Sequence, residues 1–177
     1  MHLTTVQLEA GLDDIKASPR DAGVLMQIVR RPDSEEREPL DVGELNPAEG
    51  LAGDCWRMKI SDPDGKPESQ LTLMNSRCIA LIAQDDARWQ LAGDQLYVDL
   101  DLSEENLPSG TRLAIGEAVI EVSTIPHNGC SKFVGRFGAD AKAFVNSPVG
   151  KQLHLRGIYA KVITPGKICV GDGVRKV

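Results

Sequence analysis

The sequence predicts a mainly β fold, a barrel with a few peripheral short helices, and three observations lead there. Short apolar runs with period-2 alternation recur along the chain, the signature of half-buried strands. The 17 glycines and 10 prolines fall mostly between those runs, where turns are needed. Only two or three stretches carry helical spacing, too few for a sheet built from alternating strands and helices. With 177 residues, 41% hydrophobic and 26% charged, the chain has the size and composition of a single globular core. The expected organisation is an N-terminal extension over residues 1–21 followed by a barrel domain over 22–177.

In chain order, Leu8, Leu12 and Ile15 recur at i, i+4 and i+7 and predict a short amphipathic helix over Leu8–Ala17, weakened by Gly11 and ended near Pro19. Gly23–Val29 is a β-rich run closed by Arg31-Pro32 and forms the first strand of the domain proper. Asp33–Pro39 reads as a charged surface loop or hairpin end. Asn46–Gly53 is turn-rich, and Ile60–Ser69 is a second polar loop. Gln70–Met74 predicts a strand, and Asn75-Ser76 predicts the cap of a helix whose buried face carries Cys78, Ile79, Ile82 and Ala83. Leu96–Leu102, Arg112–Ile115 and Ala118–Val122 alternate with period 2 and predict half-buried antiparallel strands, the last two joined at Gly116-Glu117. Asp140–Asn146 has a short helical pattern, Gly157–Thr164 predicts another strand, and Ile168–Val174 predicts a closing hairpin. The Gly-acid pairs Gly53-Asp54, Gly93-Asp94, Gly116-Glu117 and Gly171-Asp172 read as turns entering strands, with no chemistry attached to the last three.

Charge narrows the function classes. Lys and Arg number 20 against 26 Asp and Glu, a net charge of −6, which opposes nonspecific attraction to nucleic acid or anionic lipid. Neither nucleic acid nor a membrane is an expected partner. Met1–Ser18 has neither the basic start nor the apolar centre of a secretory signal, and no apolar run reaches membrane-spanning length, so the expected location is cytoplasmic. Cys55, Cys78, Cys130 and Cys169 are separated by 23, 52 and 39 positions, which matches no zinc, haem or dithiol spacing. They read as separate thiols. No nicotinamide or flavin fingerprint and no iron–sulfur cysteine set is present, so redox chemistry would need an external electron-donor protein.

The densest polar segment is Ile125-Pro126-His127-Asn128-Gly129-Cys130-Ser131-Lys132-Phe133, which follows the strand ending at Val122. Pro126 and Gly129 bend the chain and hold Cys130 on a corner at a strand end, and His127, Lys132 and Arg136 lie within six positions of it. Cationic neighbours lower a thiol's pKa and favour the thiolate, the form that attacks sulfur or ligates a metal. Cys130 is therefore the candidate nucleophile and metal ligand, with His127 and Lys132 as stabilisers of its anion. The competing reading is a structural cysteine buried as a small apolar group, the expected fate of Cys78 and Cys169.

Together with Gly50-Leu51-Ala52-Gly53-Asp54, the run Gly110–Val122 and Ile168-Cys169-Val170-Gly171-Asp172, the segment Ser123–Phe133 resembles the MOSC domain family, named for the C-terminal domain of molybdenum cofactor sulfurase. The resemblance covers about Ala22–Val174. It implies a β-barrel similar to the barrel domain of pyruvate kinase and one functional cysteine, here Cys130. It also implies one of two tasks: holding the molybdenum cofactor (molybdopterin) through the cysteine sulfur, or carrying sulfur as a persulfide. A molybdenum-dependent oxidoreductase or a sulfurtransferase is the activity that follows. For the pterin phosphate, Asn75, Ser76 and Arg77 offer a helix start with a guanidinium, and Arg156 is a second cation. Asp99, Asp101, Ser103 and Asn106 are candidates to accept hydrogen bonds from the pterin. The chain departs from many relatives in carrying Cys55-Trp56 where they have Arg-His after Gly-Asp, and Glu105-Asn106-Leu107-Pro108 where cofactor binders have Arg-Pro-Asn. Pyridoxal phosphate belongs to the separate desulfurase domain of the full sulfurase, so it enters only through a partner such as a cysteine desulfurase. The alternative to turnover is a delivery module that passes sulfur or cofactor to another enzyme.

Overall fold

The computed structural model describes residues 1–62 and 66–177. The predicted N-terminal helix is two helices, α1 (Thr5–Ala10) and α2 (Leu12–Lys16), broken at Gly11. A side chain at position 11 would collide with Leu81, so the break lets the pair sit down on the helix that carries Leu81. Thr4 and Gln7 form a capping box at the start of α1.

The barrel begins with β1 (Gly23–Arg30), followed by β2 (Glu38–Leu40), β3 (Val42–Asn46), β4 (Gly50–Leu51) and the single turn α3 (Trp56–Lys59). The predicted polar loop over Ile60–Ser69 falls partly outside the described residues. Next come β5 (Leu71–Asn75), α4 (Ser76–Ala83), β6 (Leu96–Asp99), β7 (Arg112–Ile115) and β8 (Ala118–Val122). Three short helices, α5 (Ser131–Phe137), α6 (Ala139–Asn146) and α7 (Pro148–Gln152), precede β9 (Ile158–Thr164), β10 (Gly166–Cys169) and β11 (Gly173–Lys176).

Seven strands pair in the order β11-β7-β8-β9-β5-β6-β1, and β1 pairs back to β11 to close the barrel. A small sheet of β10, β3 and β4 stands beside it. Closure removes the exposed edges that an open sheet of these strands would leave.

Two strand readings need correction. The strand expected within Leu96–Leu102 is antiparallel on one side only: β6 pairs antiparallel with β1 but parallel with β5, and Leu96, Tyr97 and Val98 are fully rather than half buried. The helix α4 connects β5 to β6 as a crossover, which forces the parallel pairing. Leu96 and Val98 face the barrel interior, while Tyr97 packs outward among the helices and donates its hydroxyl to the Trp89 carbonyl at 2.7 Å. The run Ile168–Val174 is not a hairpin either. β10 pairs with β3 and β11 with β7 and β1, so residues 170–172 carry the chain from the small sheet to the barrel.

Two apolar cores result. Leu25, Ile28, Leu73, Leu113, Ile120 and Ala160 fill the barrel, whereas Leu8, Met74, Ile79, Phe133, Phe137 and Phe144 bind the helices to its outer face. Each fully buried Leu, Ile or Phe contributes roughly 1.5–3 kcal/mol, so this second core is what holds the N-terminal helices and α5 in place. Among the described residues no helix is long and apolar enough to cross a membrane.

Candidate functional site

The loop that leaves β8 delivers Cys130 to the start of α5. Asn146 ties that loop down: its Oδ1 accepts from the Gly129 amide at 2.9 Å and its Nδ2 donates to the Gly129 carbonyl. Phe133 and Phe137 are buried, and their rings pack 5.0 Å apart. They anchor α5 and leave Cys130 as its exposed N-terminal residue. Partial burial opposes ionisation of the Cys130 thiol, but the amides of Phe133 and Lys132 and the guanidinium of Arg156 outweigh it, so the pKa lies below the ordinary thiol value. Cys78 is the opposite case: its burial pushes the thiol up to about 12.

The stabilising groups differ from those nearest in sequence. The Lys132 ammonium is 2.9 Å from Glu35 Oε1, and Arg136 Nη2 is 2.9 Å from Glu35 Oε2, so both cations are drawn to the loop after β1. Lys132 acts on Cys130 through its backbone amide. His127 is held neutral: burial, with Arg156 and Arg31 nearby, depresses its pKa well below the ordinary imidazole value. The charge that reaches Cys130 is that of Arg156, 26 positions away in the chain.

Arg156 is itself buried. Its Nη1 donates to Asp94 Oδ2 at 2.7 Å and its Nη2 to the Ala92 carbonyl at 2.9 Å, while the guanidinium carbon lies 5.1 Å from the Phe133 ring centre. Beside it, Arg31 grips Asp54 at 2.7 Å and 2.9 Å, and Asp54 also accepts from the Trp56 amide. Gly53 and Gly93 do occupy positive-φ turns, as predicted. Asp94, however, is a fully buried partner in an ion pair, where the turn reading attached no chemistry to it.

Three adjoining cavities meet at His127. One of about 310 Å³ is lined by Arg31, Trp56, Lys59, Arg156 and Tyr159 together with His127. A second, of about 290 Å³, is walled by Asn128, Lys151, His154 and Arg156. A third, of about 250 Å³, includes Glu104, Thr124 and His154. The His127 ring packs against Tyr159 at 4.5 Å between ring centres. Inside this cluster the buried atoms Asp94 Oδ1, His127 Nδ1 and Arg156 Nε have no hydrogen-bond partner.

Of the residues proposed for cofactor binding, only Arg156 lies in this cluster. The others gather beyond the far end of β6. Asn75 caps α4 by accepting from the Cys78 amide, and its Nδ2 donates to Ser18 Oγ and the Leu100 carbonyl. Ser76 is buried at the start of α4. Arg77 Nε is 2.9 Å from Asp99 Oδ1. The Ser103 amide donates to Asp101 Oδ1, and Asn106 donates to the Arg20 and Asp101 carbonyls while accepting from Lys176. These groups are spent on one another and on the N-terminal segment. Sequence reasoning missed Arg31, Asp94 and Tyr159.

Residues 62–175 match the family model of the MOSC domain, well over half of the chain. The protein belongs to the MOSC domain family. Three solved structures share the fold at lower identity. YiiM from Escherichia coli is 24% identical over 87% of this chain and 69% of its own, with a TM-score of 0.57. YiiM from Geobacillus stearothermophilus is 15% identical over 88% and 75%, also at 0.57. The YUAD protein from Bacillus subtilis is 16% identical over 86% and 94%, at 0.62. A search of curated proteins returns no match. Set in this MOSC barrel, Cys130 and Arg156 converge from the β8–α5 loop and the start of β9, with Arg31 and Asp94 arriving from β1 and the turn before β6.

Proposed function

We propose that this MOSC protein uses the Cys130 thiolate to hold a soft cargo, and that the cargo is the molybdenum cofactor. The observation that carries this reading is the electrostatic pairing of an exposed, acidified thiol with the buried Arg156 guanidinium, which itself lines two cavities whose walls also carry Arg31, Lys59 and Lys151. A thiolate is a soft ligand suited to a thiophilic metal, and cations suit a pterin phosphate. The unpartnered Arg156 Nε adds a buried donor able to meet such an anion. Cys130 would hold the metal, and Arg31, Lys59 and Arg156 the phosphate. When bound, the cofactor supplies oxidation–reduction chemistry.

The exposure of Cys130 favours a second reading, that of a sulfur carrier. The thiolate attacks the outer sulfur of a partner's persulfide, the partner leaves as a thiol, and no net oxidation occurs. A cysteine desulfurase using pyridoxal phosphate is the partner this requires, whereas the cofactor reading requires an electron donor. Elemental analysis and fluorescence of oxidised pterin on freshly purified protein test the first reading. Molybdenum in native protein and its loss in Cys130→Ser support it, and equal molybdenum in both removes the ligand role. A gain of one sulfur on Cys130 after incubation with a desulfurase, without molybdenum, selects the carrier.

A further inference from the structure

The unpartnered polar atoms beside Arg156 have a common geometry. Asp94 is wholly buried and divides its carboxylate: Oδ2 accepts from Arg156 Nη1 at 2.7 Å, while Oδ1 has no partner. His127 Nδ1 lies 3.8 Å from that free Oδ1 and has no partner either. The His127 side chain is about nine-tenths buried, its Nδ1 is sealed from solvent, and it makes no hydrogen bond among the described residues. Backbone geometry makes the approach possible. Gly157 adopts a φ of +104°, and a Cβ there would strike the Leu73 carbonyl and come within 3.5 Å of His127 Nδ1. Tyr159 holds the ring from one face.

We propose that Asp94 is a positioning residue for His127: its free carboxylate oxygen keeps the imidazole proton on Nδ1 and leaves the Nε2 lone pair for the cavities that meet at this ring. Burial raises the Asp94 pKa, and the Arg156 guanidinium at 2.7 Å works against that and favours the anion, which offers only acceptors. An N–H faces such an oxygen without repulsion between lone pairs, and a neutral imidazole has one such proton to place. His154 is set the same way, since its Nδ1 is 2.7 Å from the Leu102 carbonyl and must donate there. His127 and His154 share the walls of the cavities of about 290 and 250 Å³. A ligand entering that space meets the Nε2 of a neutral His127, which can only accept, and so must present an N–H or O–H donor there. This inference rests on the proposed function only in taking these cavities as the ligand's place, and the tautomer can be measured without any cargo.

Nitrogen-15 NMR of histidine-labelled protein reads the tautomer of each ring. The chain has three histidines, His2, His127 and His154, so single substitutions assign the signals. Both His127 and His154 are expected as Nδ1–H tautomers. In Asp94→Asn the amide oxygen must turn to Arg156, which leaves the amide N–H groups facing His127. His127 alone is then expected to change to the Nε2–H tautomer. An Nε2–H His127 in the native protein overturns the proposal without recourse to any variant, as does an unchanged His127 in an Asp94→Asn protein with native circular dichroism. Cys130→Ser is expected to leave both tautomers as they are, so loss of the thiol's role and loss of the tautomer are separate results.

Discussion

The two ends of β6 differ in how their polar groups are used. Beyond Asp99 the candidate cofactor residues form a saturated cluster, with Asn75 bonded three ways and Arg77 paired to Asp99 and Asp14. Before Leu96, the cluster of Asp94, His127 and Arg156 keeps three buried atoms without partners and opens onto three cavities. Both ends are rich in Asn, Asp and Arg, so composition does not distinguish them. What distinguishes them is satisfaction: a buried unpaired polar atom costs about 1–3 kcal/mol, and besides Gln27 Oε1 and Trp89 Nε1 the buried side-chain atoms left without a partner among the described residues all stand in this cluster. The saturated end ties down α2 and the segment after it, and the unsaturated end is the candidate site.

The strongest way to break this contrast is to remove one cation from each end. Arg156→Met leaves the Asp94 charge buried and is expected to destabilise the fold by about 3–5 kcal/mol. Arg77→Met breaks a partly exposed pair and is expected to cost under about 1 kcal/mol. Urea unfolding of the two variants measures the difference, and equal losses would erase the distinction.

The pH dependence sharpens it. The His127 pKa is depressed in the folded protein while the unfolded chain titrates near the ordinary imidazole value, so the unfolded state binds the extra proton. Stability is then complete above the unfolded pKa and falls as pH drops below it, with a slope of at most about 1.36 kcal/mol per pH unit until the folded pKa is reached. His127→Gln is expected to flatten that fall, whereas Asn75→Ala is expected to lower stability by about 1–2 kcal/mol at both pH values through loss of its cap. The smallest expected effect is in thiol labelling at neutral pH, where Cys78 stays unmodified in the native fold because it is buried and its pKa lies near 12.

Much of the fold was legible in the sequence because strands announce themselves locally. The alternation in Arg112–Ile115 and Ala118–Val122 became the β7–β8 hairpin in the expected register across Gly116-Glu117. Asn75 capped α4 as its position before the helical face implied. Helices α5 and α7 were not legible: α5 continues a Pro-Gly-rich loop, contains Gly135 and offers a single i, i+4 pair, Phe133 and Phe137, while α7 has one buried residue. At the candidate site, Cys130 was recognisable from its corner, but its electrostatic partners were not. Lys132 and Arg136, near in sequence, are bound to Glu35, while Arg156 is brought in by β9. Asp94 pairs with a residue 62 positions away and was hidden by an ordinary Gly-Asp turn. The available signal was the run Leu96-Tyr97-Val98 that follows Asp94-Gln95, since an acid leading into a strand buried on both faces needs a cation.

The central claim is that Cys130 is acidified by the amides of α5 and by Arg156. The most direct test is the rate of Cys130 alkylation in native protein as a function of pH, with the modified residue identified by mass spectrometry. The account predicts a midpoint below the ordinary thiol pKa that moves up in Arg156→Gln, and an ordinary or higher midpoint in native protein, or one unmoved by that substitution, would contradict it.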